Sequence, residues 1–275
     1  MINVSLVLYN NSEKEIEDLI KNIVNCKIVK NFFIIDNSEK EINVLKHKKI
    51  IYKFNTKNFG YGRAHNFALK YSLNENVKAH LIINPDIIIS EKDIEKLYFF
   101  LMNDKNIGIV VPKVIYPNGE IQYISKLLPT PKDLIFRRFF PNAKITKKNN
   151  EKYELRFTKY EKIMEIGVAS GSCMMIKKEA LEKVGLFDER FFMYLEDYDL
   201  SRRVGMYYKV MLYPEVTIVH RYEMHSYKKF KMLIIHIISA IKYFNKWGWF
   251  YDKYRERKNL KILEKLKFYQ RTPFI

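Results

Sequence analysis

Along the first two hundred residues, short apolar runs alternate with amphipathic stretches. Asn3 to Leu8 reads as a buried strand, and Ser12-Glu-Lys-Glu15 is a capping box that opens a helix with Ile16, Leu19, Ile20 and Ile23 on one face. Phe32 to Asp36 is a second strand ending in a carboxylate, and Ile50 to Phe54 is a third. Tyr61 to Leu73 has a helical pattern. His80 to Asn84 is a fourth strand, Ser90-Glu-Lys-Asp93 caps another helix, and Gly108 to Pro112 is a fifth strand. These strands have continuous apolar cores, as expected of a sheet covered on both faces. The pattern predicts an α/β fold with a mostly parallel central sheet flanked by helices. In such sheets ligands bind beyond the carboxyl ends of the strands. Tyr9, Asn10, Asp36 and Asn84-Pro-Asp86 fall there.

Further along, Tyr116-Pro-Asn-Gly-Glu120 has the composition of a tight turn. Lys132 to Lys162 has little periodicity and reads as a long basic excursion. Leu181-Glu-Lys-Val-Gly185 ends a short helix on a glycine. Phe187 to Tyr194 is a loop dense in aromatics, Glu196 to Arg203 starts a helix, and Lys209 to Val219 supplies one or two closing strands. The last stretch differs. Phe230, Leu233, Ile234, Ile237, Ile238, Ile241 and Phe244 recur at helical spacing. Lys228, Lys229, Lys231, Lys242 and Lys246 flank that stripe, and Trp247 and Trp249 follow it. A second basic helix is expected from about Asp252 to Phe268.

Charge sharpens this division. The 275 residues carry 49 Lys/Arg against 31 Asp/Glu, a net of +18. Residues 227–275 hold 13 basic and 3 acidic side chains, and residues 132–162 hold 10 and 4, so the remainder is close to neutral. Codon bias in an AT-rich genome raises Lys overall but does not localise it. The asymmetry predicts a confined anionic partner. An apolar fraction of 48% excludes a disordered chain. Two cysteines, Cys26 and Cys173, form no disulfide framework or zinc spacing and suit a reducing compartment. The N-terminal apolar run is too short for a signal peptide, and no run approaches the roughly 18 apolar residues of a membrane span, so a cytoplasmic location is expected.

Several residue groups are chemically suggestive. Asp36 of Asp36-Asn-Ser38 can cap a turn or accept from a nucleoside. Asn58-Phe-Gly-Tyr-Gly-Arg63, with Asn66 beyond, is a glycine loop feeding a helix start, a setting that suits phosphate but matches no dinucleotide or P-loop fingerprint. Asp86 closes a proline turn at a strand end, where a hard cation such as Mg²⁺ or Mn²⁺ could share it with phosphates. Glu196-Asp197-Tyr-Asp199 crowds acids at a helix start beside Phe191, Phe192 and Tyr194. Such acids serve as caps, or as a general base near an apolar surface. His220, at the end of the last strand, is either structural or a late metal ligand.

In order and spacing, Val4-Ser-Leu-Val-Leu-Tyr-Asn10, Ile35-Asp-Asn-Ser38, Asn58 to Asn66, Asn84-Pro-Asp86, Ser170-Gly-Ser-Cys-Met-Met-Ile176, the Val184 to Leu200 block and His220 resemble the family 2 glycosyltransferases, closest to a rhamnosyltransferase-like subgroup. The resemblance runs from about residue 3 to 226. It implies a GT-A fold, the architecture of nucleotide-diphospho-sugar transferases, over 1–226. Residues 132–165 would be the basic excursion and 227–275 a C-terminal extension of basic amphipathic helices. It implies that Asp36 reads the base of a UDP- or dTDP-sugar, that Tyr9, Asn10, Asn58, Gly60, Arg63, Asn66 and Asn84 line the nucleotide-sugar pocket, that Asp86 and His220 hold a divalent metal, and that Asp197, paired with Glu196, is the catalytic base. Asn84 stands where the metal motif has its first acid, so metal binding should be weakened. One base and one in-line displacement imply inversion at the anomeric carbon; nothing here resembles a glycosidase pair of carboxylates. The expected acceptor is a cell-surface glycan or a lipid-linked one.

The tail pattern fits a helix lying in the interface of an anionic membrane, which would make the protein peripheral. It fits equally a stripe packed on the catalytic body or in a homodimer. Two other functions compete: a basic nucleic-acid-binding protein, which lacks any known recognition module, and a catalytically silent scaffold of the same fold.

Overall fold

The computed structural model describes residues 1–140, 142–221 and 230–268. Nine strands form one mixed sheet among these residues. β1 (Ile2–Leu8), β2 (Val29–Asp36), β3 (Ile50–Phe54) and β4 (Ala79–Ile83) are mutually parallel and adjacent in the order β3-β2-β1-β4. The mostly apolar and almost wholly buried runs of β1 and β4 account for this, since they are covered on both faces. The rest of the sheet comprises β5 (Ile87–Ile88), β6 (Ile107–Ile115), β7 (Met164–Glu165), β8 (Cys173–Lys177) and β9 (Lys209–His220). β8 inserts antiparallel between β4 and β6, so the sheet is less uniformly parallel than the apolar runs predict. β9 runs parallel to β6 as one strand, with a register break around Pro214 where its ladder would lack an N–H.

This topology builds one functional edge. The carboxyl ends of β1, β2 and β4 deliver Tyr9, Asp36 and Asn84. Antiparallel β8 brings its amino end, after Ser170-Gly171-Ser172, to the same edge, because Ile83 pairs with Cys173. β9 ends there too, with His220 paired to Ile87 just after Asp86.

The helices are α1 (Glu13–Asn25), α2 (Tyr61–Asn74), α3 (Glu91–Asn103), α4 (Pro131–Phe139), α5 (Lys144–Tyr153), α6 (Lys178–Val184), α7 (Glu196–Gly205), α8 (Phe230–Trp247) and α9 (Lys253–Lys265). The capping boxes at Ser12 and Ser90 form as the sequence predicts. Residues 132–162 are mostly helical in α4 and α5, and Thr130 caps α4 with its own box to Asp133. Polar positions outnumber apolar ones in α5 and hide any hydrophobic period.

The C-terminal helices pack on the body. Ile262 and Leu263 of α9 join the core under β9 and α7, while Tyr243 and Phe244 of α8 pack with Phe191 and Leu195. Buried ions bolt them on. Arg202 of α7 forks onto Asp252, the N-cap of α9, at 2.5 and 2.7 Å, and its guanidinium stacks on Trp247. Fully buried Asp199 accepts from Arg203, Lys246 and Trp247. Trp247 and Lys246 therefore make contacts within the chain. Lys228 and Lys229 lie outside the described residues.

Candidate active site

A cleft of about 1130 Å³ opens over the functional edge. It is lined by Tyr9, Asn58, Gly60, Asn84, Glu196, Asp197 and His220, which brings seven of the sequence candidates together. Its floor begins at the loop into α2. Gly60 has φ +88°, and a Cβ there would lie 2.3 Å from the Phe192 carbonyl oxygen, so only glycine lets the aromatic loop close down. Asn58 accepts from the Gly60 N–H at 2.8 Å and holds that turn.

Other candidates stand behind the wall. Asp36 is fully buried and accepts from the Tyr52 hydroxyl at 2.7 Å and the Ser38 N–H at 2.9 Å. Burial beside this carboxylate pushes the Tyr52 hydroxyl pKa up. Asn37, the next residue, reaches the cleft in place of Asp36. Asn10, at φ +57°, donates its N–H to Ser38 and ties the β1 turn to the β2 turn. Arg63 points outward, pairing with Glu189 at 3.4 Å and stacking on Phe59. Asn66 is buried and exchanges hydrogen bonds with the Phe187 backbone at 2.9 Å in both directions. Asn10, Arg63 and Asn66 thus shape the cleft from outside its lining.

Tyr61, which the sequence reading passes over, is the hub. Its hydroxyl lies 2.7 Å from the Gly171 carbonyl oxygen and 2.9 Å from Asn84 Oδ1. Its pKa is raised first by burial and then by the charges of Glu196, Asp197 and Asp86. A tyrosine opening a glycine-flanked helix was its only sequence signal.

The acids sit on a strained turn. Tyr194 and Leu195 both adopt left-handed backbone, at φ +68° and +65°, a conformation unusual for such side chains. This turn aims the first turn of α7 at the cleft. Asp197 Oδ2 accepts from the Gly171 N–H at 3.1 Å, and Oδ1 from the Tyr198 N–H at 2.9 Å. Burial raises its pKa, opposed by the Gly171 N–H and the Lys126 charge. Glu196 is pushed well upward by burial and by Asp197, and its Oε2 has no hydrogen-bond partner among the described residues. Both carboxyls are raised, Glu196 the more strongly. Asp199 is structural: the third acid of the cluster anchors α8.

At the other end of the edge, His220 Nδ1 lies 2.9 Å from Gln122 Oε1, and Nε2 lies 3.1 Å from Asp86 Oδ2. His220 Nε2 thus faces a carboxylate oxygen, and the two are a pair of donors that a cation would share. Asp86 Oδ1 is buried and has no hydrogen-bond partner among the described residues. These donors fit a divalent ion completed by phosphate oxygens. Among the described residues no cluster of three or more His, Cys, Asp or Glu could hold a metal alone.

The model of glycosyl transferase family 2 matches residues 4–185, and the chain belongs to that family. The match ends before Glu196, Asp197 and His220. The chain is 30% identical over 205 residues to the low-salt glycan biosynthesis hexosyltransferase Agl10 of Haloferax volcanii, covering 73% of this chain and 61% of that one. It is 28% identical over 146 residues to the N-acetylglucosaminyl-diphospho-decaprenol L-rhamnosyltransferase of Mycobacterium tuberculosis, covering 51% and 46%. It thus spans about half to three fifths of these relatives. Among solved structures it resembles GalNAc-T7 with UDP, GalNAc and Mn²⁺ (TM-score 0.59, 15% identity, 82% of this chain and 44% of that one). It also resembles a Pyrobaculum calidifontis mannosyltransferase with GDP-Man and Mn²⁺ (TM-score 0.55, 15% identity, 98% and 75%). These likenesses establish the GT-A fold.

Proposed function

We propose that the protein is an inverting glycosyltransferase that moves a sugar, with rhamnose the favoured candidate, from a UDP- or dTDP-linked donor to a glycan or lipid-linked acceptor. The observation carrying this reading is the placement of Asp197 in a cleft on the strand-end edge, hydrogen-bonded to Gly171 and facing Asn84 through Tyr61. The rhamnosyltransferase name of one relative and the nucleotide-bound neighbours support the same class.

Asp197 takes the proton of the attacking acceptor hydroxyl, and its raised pKa makes it a better base than a solvated aspartate. Tyr9, Asn37 and Asn58 form the wall where base and ribose would lie. Asp86 and His220 would hold a divalent metal, which when bound offsets charge on the departing diphosphate. One nucleophile and one base give inversion.

The outer face of α8 is read as the contact with an anionic membrane, making the protein peripheral. Phe230, Ile234, Ile237, Ile238 and Ile241 are exposed on it beside Lys231, an apolar face with basic character. No helix among the described residues is long and apolar enough to cross a membrane.

Turnover of UDP- and dTDP-sugars, with and without Mn²⁺, tests the catalytic reading. Asp197→Asn should lower kcat by about 10³-fold, within the span of lost general-base catalysis, while leaving nucleotide affinity unchanged. Wild-type turnover in that variant would remove Asp197 from the chemistry.

A further inference from the structure

The basic stretch of residues 132–162 is not used by donor binding or by the base. It folds against the cleft. Arg137 and Arg138 of α4 line the wall opposite the strand ends, with Arg156 from the turn after α5 and Lys126 from the segment after β6. One acid, Glu154, stands among these four cations, bridging Arg137 at 2.6 Å and Arg156 at 2.5 Å. Arg137 also packs over the Tyr153 ring and Arg156 over the Tyr123 ring, so both guanidinium planes are held in place. Three chain segments therefore converge to make one cationic wall.

A neighbouring group registers that field. His236 of α8 lines the same wall, and its pKa is lowered to about 4, first by burial and then by the charges of Arg138, Lys126 and Arg137. The wall also meets the base. Lys126 Nζ donates to the Tyr198 hydroxyl at 3.2 Å, one residue from Asp197. Apolar Leu134 and Met232 line the cleft beside the cations. Beyond them lie exposed Ile135, Phe139, Ile234 and Ile238.

We infer that the Lys126, Arg137 and Arg138 wall is the acceptor subsite and that it binds the phosphate or diphosphate group of a phosphate-bearing acceptor. The guanidinium fork of Arg137, held by Glu154 and Tyr153, matches phosphate oxygens, and the cations of Arg138 and Lys126 on the same wall add charge. The position so close to Asp197 sets the acceptor's size. The reacting hydroxyl and the phosphate must lie near each other, as in a sugar carried directly on a phosphate or diphosphate. The far end of a long neutral glycan would leave these cations unused. The subsite rests on the transferase reading for its meaning but not for its binding chemistry.

The test uses inorganic pyrophosphate and geranylgeranyl diphosphate as probes, titrated into nucleotide-free protein and into protein saturated with UDP or dTDP. Both probes should bind with the nucleotide in place. Arg138→Gln and Lys126→Gln should each weaken probe binding by at least about tenfold, the scale of a lost charge-assisted contact. Nucleotide affinity and melting temperature should stay near wild type in Arg138→Gln. Tighter binding of the prenylated probe assigns the subsite to a lipid headgroup, and equal binding assigns it to a water-soluble phosphate. Displacement of nucleotide by pyrophosphate, or unchanged probe affinity in both variants, overturns the subsite. Failure of nucleotide to bind, with probe binding intact and sensitive to Arg138, overturns the transferase reading instead and leaves this wall standing.

Discussion

The two sides of the cleft are built by different physics. The strand-end side is a floor of small, neutral, mutually hydrogen-bonded groups on a sheet whose central strands are almost wholly buried. Asn37, Asn58, Asn84 and Tyr61 satisfy one another there before any ligand arrives. The opposite side is helical and charged, and ion pairs position it. Arg202–Asp252 and Asp199–Lys246 hold α8 and α9 against α7, and Glu154 spaces Arg137 from Arg156. A sheet edge fixes its residues by backbone register. Helices attached later in the chain need charges at specific points to fix theirs, and removing one partner leaves the other buried with fewer contacts to offset its desolvation.

That contrast predicts where the molecule is brittle. Arg202 and Asp252 are each 3% exposed, so Arg202→Met removes the bidentate partner of a buried carboxylate and leaves it Arg255 at 3.8 Å. The expected loss is about 3 to 5 kcal/mol of unfolding free energy, read by urea denaturation. α7 starts with Glu196-Asp197, so activity should fall together with stability. On the floor, Asn58→Ala should cost only about 1 kcal/mol, one exchanged hydrogen bond. Equal losses at the two sites would erase the distinction.

The same contrast explains what the sequence could disclose. Strand register is written in apolar runs, so β1, β3 and β4 and the residues at their ends were readable, as were the capping boxes at Ser12 and Ser90. Antiparallel insertion of β8 was not, because an apolar pentapeptide carries no direction. Asp36 was legible as a strand-end acid, but its engagement with Tyr52, sixteen residues on, depends on β2 pairing with β3. Helical amphipathicity in α8 was plain, yet its inner face is set by Ser239, Tyr243, Phe244 and Trp247, not by the isoleucine stripe. The stripe and the packing face sit side by side on one helix, and periodicity alone weights the more hydrophobic one.

A smaller effect tests the floor from beneath. His65 and His80 are buried against Ser5 and Ser72, at 2.7 to 2.8 Å. Burial lowers both pKa values, that of His80 to about 3 and that of His65 well below its usual range. An unfolded chain takes up protons on these rings near pH 6.5, whereas the folded chain does not. Their contribution to stability is therefore complete above about pH 6.5 and is lost as pH falls below it. Melting temperature should decline from pH 7 to pH 5. His80→Asn should flatten that decline, even where it lowers the melting temperature at pH 7. An unchanged pH slope in the variant would locate the acid sensitivity elsewhere, for example in His236.

The least costly substitution for the fold concerns the outside of the charged wall. Ile238 is 44% exposed on α8, in line with exposed Ile234 and Ile241. Ile238→Ser removes apolar surface that contributes little to folding, so unfolding free energy should change by less than about 0.5 kcal/mol. If that face lies in a lipid interface, the same substitution should weaken partition onto phosphatidylglycerol-rich vesicles by roughly tenfold, and raised salt should weaken it further. Phosphatidylcholine vesicles should bind poorly in either case. A shift from dimer to monomer in Ile238→Ser, with no vesicle binding by wild type, assigns the face to a second copy. Turnover of a soluble acceptor should be insensitive to Ile238 under both outcomes. The isoleucines that stand outermost on α8 bear on where the cleft meets its acceptor, and the packed side of the same helix bears on whether the cleft exists.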